Sequence, residues 1–207
     1  MEDTKSENGR PDRPVYLVGM MGAGKSTIGP ALAKRLGRDF VDTDDLIEER
    51  AGRSIPEIFA EDGEAYFRRL EQEAIDAASA SAAVVALGGG AFSQPGTAER
   101  LRASGIVVFL DAPIELLLSR VGDGASRPLL AGLSHAERQS KLESLRDARA
   151  PDYAQATFSV DAQGKAGVVV DRILAELADR PPAGRGLTKG KASDVRENNS
   201  SRRNEEQ

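Results

Sequence analysis

Residues 19–26 read Gly-Met-Met-Gly-Ala-Gly-Lys-Ser, between a short apolar run, Val15–Val18, and a stretch of helical periodicity, Thr27–Leu36. No other feature constrains the fold so tightly. The run satisfies Gly-x-x-x-x-Gly-Lys-Ser/Thr in full, and a strand before it and a helix after it are the context that pattern requires. Glycines allow the backbone N–H groups to turn inward on an anion, and the helix that follows adds the positive end of its dipole. The spacing therefore predicts a phosphate-binding loop, with Gly22, Ala23, Gly24, Lys25, Ser26 and Thr27 around a nucleotide triphosphate. Lys25 is expected at the β- and γ-phosphates and the Ser26 hydroxyl on Mg2+. Pro30 falls about a turn into the helix, where its missing N–H and its ring predict a local kink.

Beyond the loop the chain alternates strand and helix. Apolar strands are expected at Asp39–Val41, Ala83–Leu87, Ile106–Leu110 and Phe158–Val160. Helical patterns lie at Ala65–Ser79, from Asp111 and Pro113 to Arg120, and at Val168–Leu177. Ser54 with Glu57, and Ser134 with Glu137, read as capping boxes; the second opens a helix toward Ala148. Apolar strands that alternate with helices imply βαβ units and a parallel sheet covered on both faces. The expected class is α/β, a three-layer αβα sandwich with a five-stranded parallel sheet and a P-loop NTPase fold.

Composition narrows the partners. The chain has 207 residues, 28 Lys and Arg against 33 Asp and Glu, and a net charge of −5, which argues against nucleic acid or an anionic membrane. It has no cysteine, so disulfides and thiolate metal sites are excluded. No run approaches a membrane span and residues 1–13 lack the apolar core of a signal peptide, so a cytoplasmic protein is expected. Residues 1–13 and 180–207 are too polar to offset ordering entropy and are expected to be disordered, leaving one P-loop domain over 14–179. No sustained apolar surface stripe is visible, and a monomer is expected.

A P-loop alone does not separate kinase from GTPase or motor. No Asn-Lys-x-Asp guanine-reading motif occurs, and the domain is too small for a motor core. The charged residues suit a small anionic acceptor. Asp42-Thr43-Asp44 ends the second strand, and Phe67-Arg68-Arg69-Leu70-Glu71 lies on the long helix. Gly88-Gly89-Gly90-Ala91 follows the third strand. Arg127-Pro128-Leu129-Leu130 follows the fourth strand and its helix, and Arg149-Ala150-Pro151-Asp152-Tyr153 ends the next helix. Ligands of open parallel sheets bind beyond the carboxyl ends of the strands, so the loop, Asp42, Asp44 and the glycines should converge.

Those motifs, in this order and spacing over residues 14–177, resemble the shikimate kinase family. The resemblance implies transfer of the γ-phosphoryl of ATP to the 3-hydroxyl of shikimate with Mg2+. It implies that Asp44 holds the acceptor hydroxyls and takes the proton, and that Lys25 and Arg127 stabilise the transferring phosphoryl, Arg127 from a mobile lid. It also implies that Arg68 and Arg149 grip the acceptor carboxylate, Gly89 and Gly90 offer N–H groups to it, Arg120 stacks on adenine and Asp42 lies by the Mg2+. The Asp161–Ala166 segment is expected to contact adenine. An arginine fork matches a carboxylate bidentately where lysine cannot. Another small-molecule kinase of the same fold, such as a gluconate or nucleotide kinase, or an ATP-sensing module without catalysis, remain the alternatives. Each site residue also has a plainer reading. Asp42 or Asp44 could simply cap a helix, Arg149 could favour a helix C-terminus, and His135, the single histidine, reads as a surface residue.

Overall fold

The computed structural model describes residues 13–122, 127 and 129–180. Apart from Arg13 and Arg180, the two terminal segments expected to be disordered lie outside the described residues, as do positions 123–126 and 128 of the expected lid. Five strands form one parallel sheet: β1 (Val15–Val18), β2 (Phe40–Asp42), β3 (Val84–Ala86), β4 (Ile106–Asp111) and β5 (Phe158–Asp161), in the order β2-β3-β1-β4-β5. The inner strands β1 and β3 are buried at every position, which is why their sequences are continuous apolar runs without alternation. Edge strand β5 alternates, with Phe158 and Val160 buried and Ser159 and Asp161 exposed.

Among the described residues eight helices accompany the strands: α1 (Lys25–Leu36), α2 (Thr43–Ala51), α3 (Ile55–Glu61), α4 (Gly63–Ala78), α5 (Thr97–Ser104), α6 (Ile114–Val121), α7 (His135–Tyr153) and α8 (Ala166–Ala178). α1 and α8 pack together on one face of the sheet, while α5 and α7 meet a single 3-10 turn at Ala91–Ser93 on the other. Most buried side chains form one cluster around the sheet; Ile47, Ile58, Phe67 and Ala74 form a second between α2, α3 and α4. Among the described residues no helix is long and apolar enough to cross a membrane.

Both capping boxes are present. Ser54 N–H donates to Glu57 Oε2 at 2.8 Å and Ser134 N–H to Glu137 Oε2 at 2.7 Å, with the reciprocal bonds at 3.4 Å. α1 is continuous across Pro30. α7 runs through the Arg149–Tyr153 motif expected to end it, and Pro151 sits in its last turn. A proline there withholds one bond from the carbonyl of Asp147, and the buried Tyr153 anchors the turn regardless. The sequence reading described no helix at Thr97–Ser104 because its apolar positions, chiefly Ala98 and Leu101, are too few to show a period.

One contact sets the seat of α1 against the sheet. A Cβ at Gly29 would lie 2.1 Å from Cε2 of Phe40, so only glycine allows the helix to approach the end of β2 this closely. Gly29→Val should lower stability by about 2 kcal/mol through overpacking, against a helix-propensity gain of only a few tenths. Thermal unfolding should show Tm reduced by several degrees; an unchanged Tm would mean that Phe40 moves aside without cost.

Candidate active site

The phosphate loop joins β1 to α1 and is shaped by glycine. Gly24 adopts φ 101° and caps α1, a conformation an L side chain rarely takes. Gly19 adopts φ 148°, and a Cβ on it would stand 2.8 Å from the Leu110 carbonyl oxygen. Ala23 is fully buried beneath the loop. Lys25 Nζ donates to the carbonyls of Gly19 at 2.8 Å and Met20 at 3.1 Å, which folds the ammonium over the loop. Burial lowers its pKa to about 8, against the opposing pull of Asp44 and Asp42.

Ser26 Oγ donates to Asp42 Oδ2 at 2.6 Å. Asp42 is also the N-cap of α2 and accepts the Asp44 N–H at 3.0 Å. Asp42 is therefore the capping carboxylate, and Asp44 lies within the first turn with its side chain free to face the cleft. Burial is the main cause raising the Asp44 pKa, with Asp42 adding to it and Lys25 and Arg127 opposing. Ser26 and Asp42 present two hard oxygens at the mouth of the loop, the donor type that suits Mg2+ when phosphate oxygens and water complete its shell. Among the described residues no group of three His, Cys, Asp or Glu could hold a metal ion by itself.

A cleft of about 470 Å³ is lined by Gly22, Gly24, Lys25, Ser26, Thr27, Asp42, Asp44, Gly89, Arg120 and Arg127. Ala162, Gly164 and Ala166 also line it, so the segment expected near adenine reaches the same space. Arg120 donates to the carbonyls of Gly22 at 3.2 Å, Ala23 at 3.1 Å and Ala162 at 3.4 Å, a clamp between the phosphate loop and that segment.

Arg68, Arg149 and Gly90 form an adjoining cluster on the far side of Gly89. An ideal Cβ on Gly90 would lie 3.3 Å from Arg149 Nη2, 3.3 Å from Arg68 Nη1 and 3.4 Å from Arg68 Nη2. Two guanidinium groups thus converge on one residue that has no side chain. Glu64 and Glu71 hold Arg68, Glu71 at 2.8 Å from Nη1 and Glu64 at 2.9 Å from Nη2. These pairs differ in weight. The Glu64 side chain is 66% exposed and the Glu71 side chain 3%. An exposed pair contributes about 0–1 kcal/mol, whereas removing one partner of a buried pair costs about 3–5 kcal/mol. Glu71 therefore sets the position of Arg68. Its own pKa is raised, chiefly by burial, with Asp44 adding to the rise.

The Gly88–Gly90 turn packs tightly among these groups. A Cβ on Gly88 would stand 2.6 Å from Asp44 Oδ1 and 3.0 Å from Glu71 Oε1. Two partners of this turn escaped the sequence reading. Thr43, fully buried, accepts the Gly88 N–H at 3.0 Å. The Gly89 carbonyl accepts from Arg149 Nη1 at 2.7 Å and from the Tyr153 hydroxyl at 3.1 Å. Both residues stood inside quoted motifs, but nothing in spacing alone shows that a threonine between two aspartates turns to the core. His135 is exposed at the first position of α7, as its plain reading held.

Comparison with known proteins agrees with this geometry. The family model described as shikimate kinase matches residues 21–178. A shikimate kinase of Salinibacter ruber is 44% identical over 77% of this chain and 82% of its own length. One from a Synechococcus species is 48% identical over 79% and 83% respectively. A solved shikimate kinase from Acinetobacter baumannii, in complex with shikimate, superposes with a TM-score of 0.78 at 38% identity, covering 84% of this chain and 98% of that one. A deoxyadenosine kinase from M. mycoides, at 16% identity and TM-score 0.54, shares the fold. With the matched region covering most of the loop, the glycine turn and both arginines, this chain belongs to the shikimate kinase family.

Proposed function

We propose that the protein transfers the γ-phosphoryl group of ATP to the 3-hydroxyl of shikimate, giving shikimate 3-phosphate and ADP. The observation that carries this reading is the convergence of Arg68 and Arg149 on Gly90, beside Asp44 and one residue from the phosphate-loop cleft. An acceptor that bears a carboxylate at one end and a hydroxyl near the other fits that span. Two guanidinium forks neutralise the carboxylate, which otherwise would repel the triphosphate.

The roles follow from position. Lys25, with Gly22, Ala23, Gly24 and Thr27, cradles the phosphates, and Arg127 adds charge at the transferring group. Asp44 accepts the proton of the attacked hydroxyl; burial has already moved its pKa toward the working range of a base. Glu71 positions Arg68, and Arg120 ties the adenine side of the cleft to the loop. Gly89 and Gly90 leave backbone groups open to the acceptor. Ser26 and Asp42 would hold Mg2+, Ser26 directly and Asp42 through it or through water; the ion, when bound, neutralises charge developing on the phosphates. The working form is read as a monomer. Among the described residues the large apolar side chains left exposed are Leu129 and Val168, too little surface for a stable interface.

A coupled ADP-release assay with MgATP tests the acceptor directly. Turnover is expected with shikimate and not with gluconate, quinate or nucleoside monophosphates; turnover with one of those instead would overturn the reading. Lys25→Ala should cut kcat by at least about a hundredfold with Tm preserved; near-wild-type turnover would remove Lys25 from the mechanism. Arg149→Ala should raise the KM for shikimate by about 10- to 100-fold, the loss of a charge-assisted hydrogen bond, and leave that for ATP within about threefold. Equal losses for the two substrates would contradict the carboxylate-binding role.

A further inference from the structure

Arg149 and Tyr153 stand one turn apart on α7 and therefore share a face. Both reach the Gly89 carbonyl, Arg149 Nη1 at 2.7 Å and Tyr153 Oη at 3.1 Å. Both also touch the Met20 sulfur of the phosphate loop, each at 3.8 Å. The Tyr153 ring is held in place, stacked on Phe109 with centroids 4.5 Å apart and parallel to Phe92 at 6.3 Å. It is 4% exposed, and burial raises the phenol pKa above its ordinary value, so the hydroxyl stays a donor at any working pH.

Geometry gives this carbonyl more than a structural meaning. The Gly89 C=O and the Gly90 N–H belong to one planar trans peptide and point in opposite directions. Donors on α7 that hold the carbonyl therefore aim the Gly90 N–H the other way. Two donors on one oxygen are redundant for the fold, since one already satisfies it. They are not redundant for binding. Arg149 is the donor asked to meet an acceptor carboxylate, and a guanidinium that turns toward a ligand loosens its grip on Gly89.

We propose that Tyr153 is a positioning residue for the acceptor site: its hydroxyl keeps the Gly89–Gly90 peptide in register so that Arg149 can engage the acceptor carboxylate. The assignment rests on the acceptor reading given above. Tyr153 touches no reacting atom; it acts through the Gly89 carbonyl and through Arg149.

The test is Tyr153→Phe, which keeps the ring stack on Phe109 and removes only the hydroxyl. Steady-state kinetics with shikimate and MgATP varied in turn should show the KM for shikimate raised about five- to tenfold, the scale of one neutral hydrogen bond. The KM for ATP should stay within about twofold, with Tm unchanged. A merely structural tyrosine would lower Tm or weaken both substrates alike, and either result overturns the assignment, as does an unchanged KM for shikimate. A cycle with Arg149→Lys adds a second reading. Because both residues act on one carbonyl, the double variant should lose less than the product of the single losses; a full product overturns the proposal. If the wild-type protein fails to phosphorylate shikimate at all, the acceptor reading falls and takes this role with it. If the wild type turns shikimate over and the variant matches it, this role alone falls.

Discussion

Everything at the site hangs from the parallel pairing of β1 with a neighbour on each side. Val15, Tyr16 and Leu17 pair with Val84, Val85 and Ala86 of β3, and the same residues pair with Ile106, Val107 and Val108 of β4. The register brings three carboxyl ends to one edge of the sheet. The phosphate loop leaves from the middle strand and the glycine turn from its neighbour. One strand further out, β2 delivers Asp42, which closes the group by accepting from Ser26. A shift of β1 against β3 would part the loop from the glycine turn. The buried, β-branched character of these strands is thus the first condition of the chemistry.

Charge is the second condition, and the protein manages it locally. Lys25, Arg68, Arg127 and Arg149 are concentrated in one region of a chain whose net charge is −5. Two of these cations have carboxylates near them: Asp44 and Asp42 act on Lys25, while Glu71 and Glu64 bond Arg68. Such pairing limits the desolvation penalty that unpartnered ions would carry. It also leaves both guanidinium groups within 3.4 Å of the Cβ that Gly90 lacks.

Much of this was legible in the sequence because local rules and the global fold agree. The phosphate loop, all five strands, both capping boxes and the three-layer architecture could be read from pattern and spacing alone. The resemblance to a family supplied the candidate roles, and the structure brings Asp42, Asp44, Lys25, Gly89, Arg120 and Arg127 to one cleft, with Arg68 and Arg149 beside it. What escaped reading was of another kind. Thr43 and Tyr153 are ordinary letters whose importance comes from meeting backbone atoms 45 and 64 residues away. Contacts of that span leave no periodic trace. The 3-10 turn at Ala91–Ser93 and the short α5 lack the apolar repeat that a longer helix would display. Pro151 is a helix breaker by local rule, yet α7 continues through it to the buried Tyr153.

The triple glycine has a consequence for how the chain can change over time. Written as letters, Gly88, Gly89 and Gly90 are identical. In space only the outer two are prohibitions. The first is enforced by the Asp44 and Glu71 carboxylates, 2.6 and 3.0 Å from the Cβ it lacks. The third is enforced by two arginines at 3.3 Å, while the middle one meets nothing closer than 3.5 Å. Drift at the middle position can therefore be accommodated by a methyl group in ordinary contact. Change at the first must be matched by carboxylates that retreat, and at the third by guanidinium groups that do. A side chain at either outer position thus tests how far the charged groups beside it can give way.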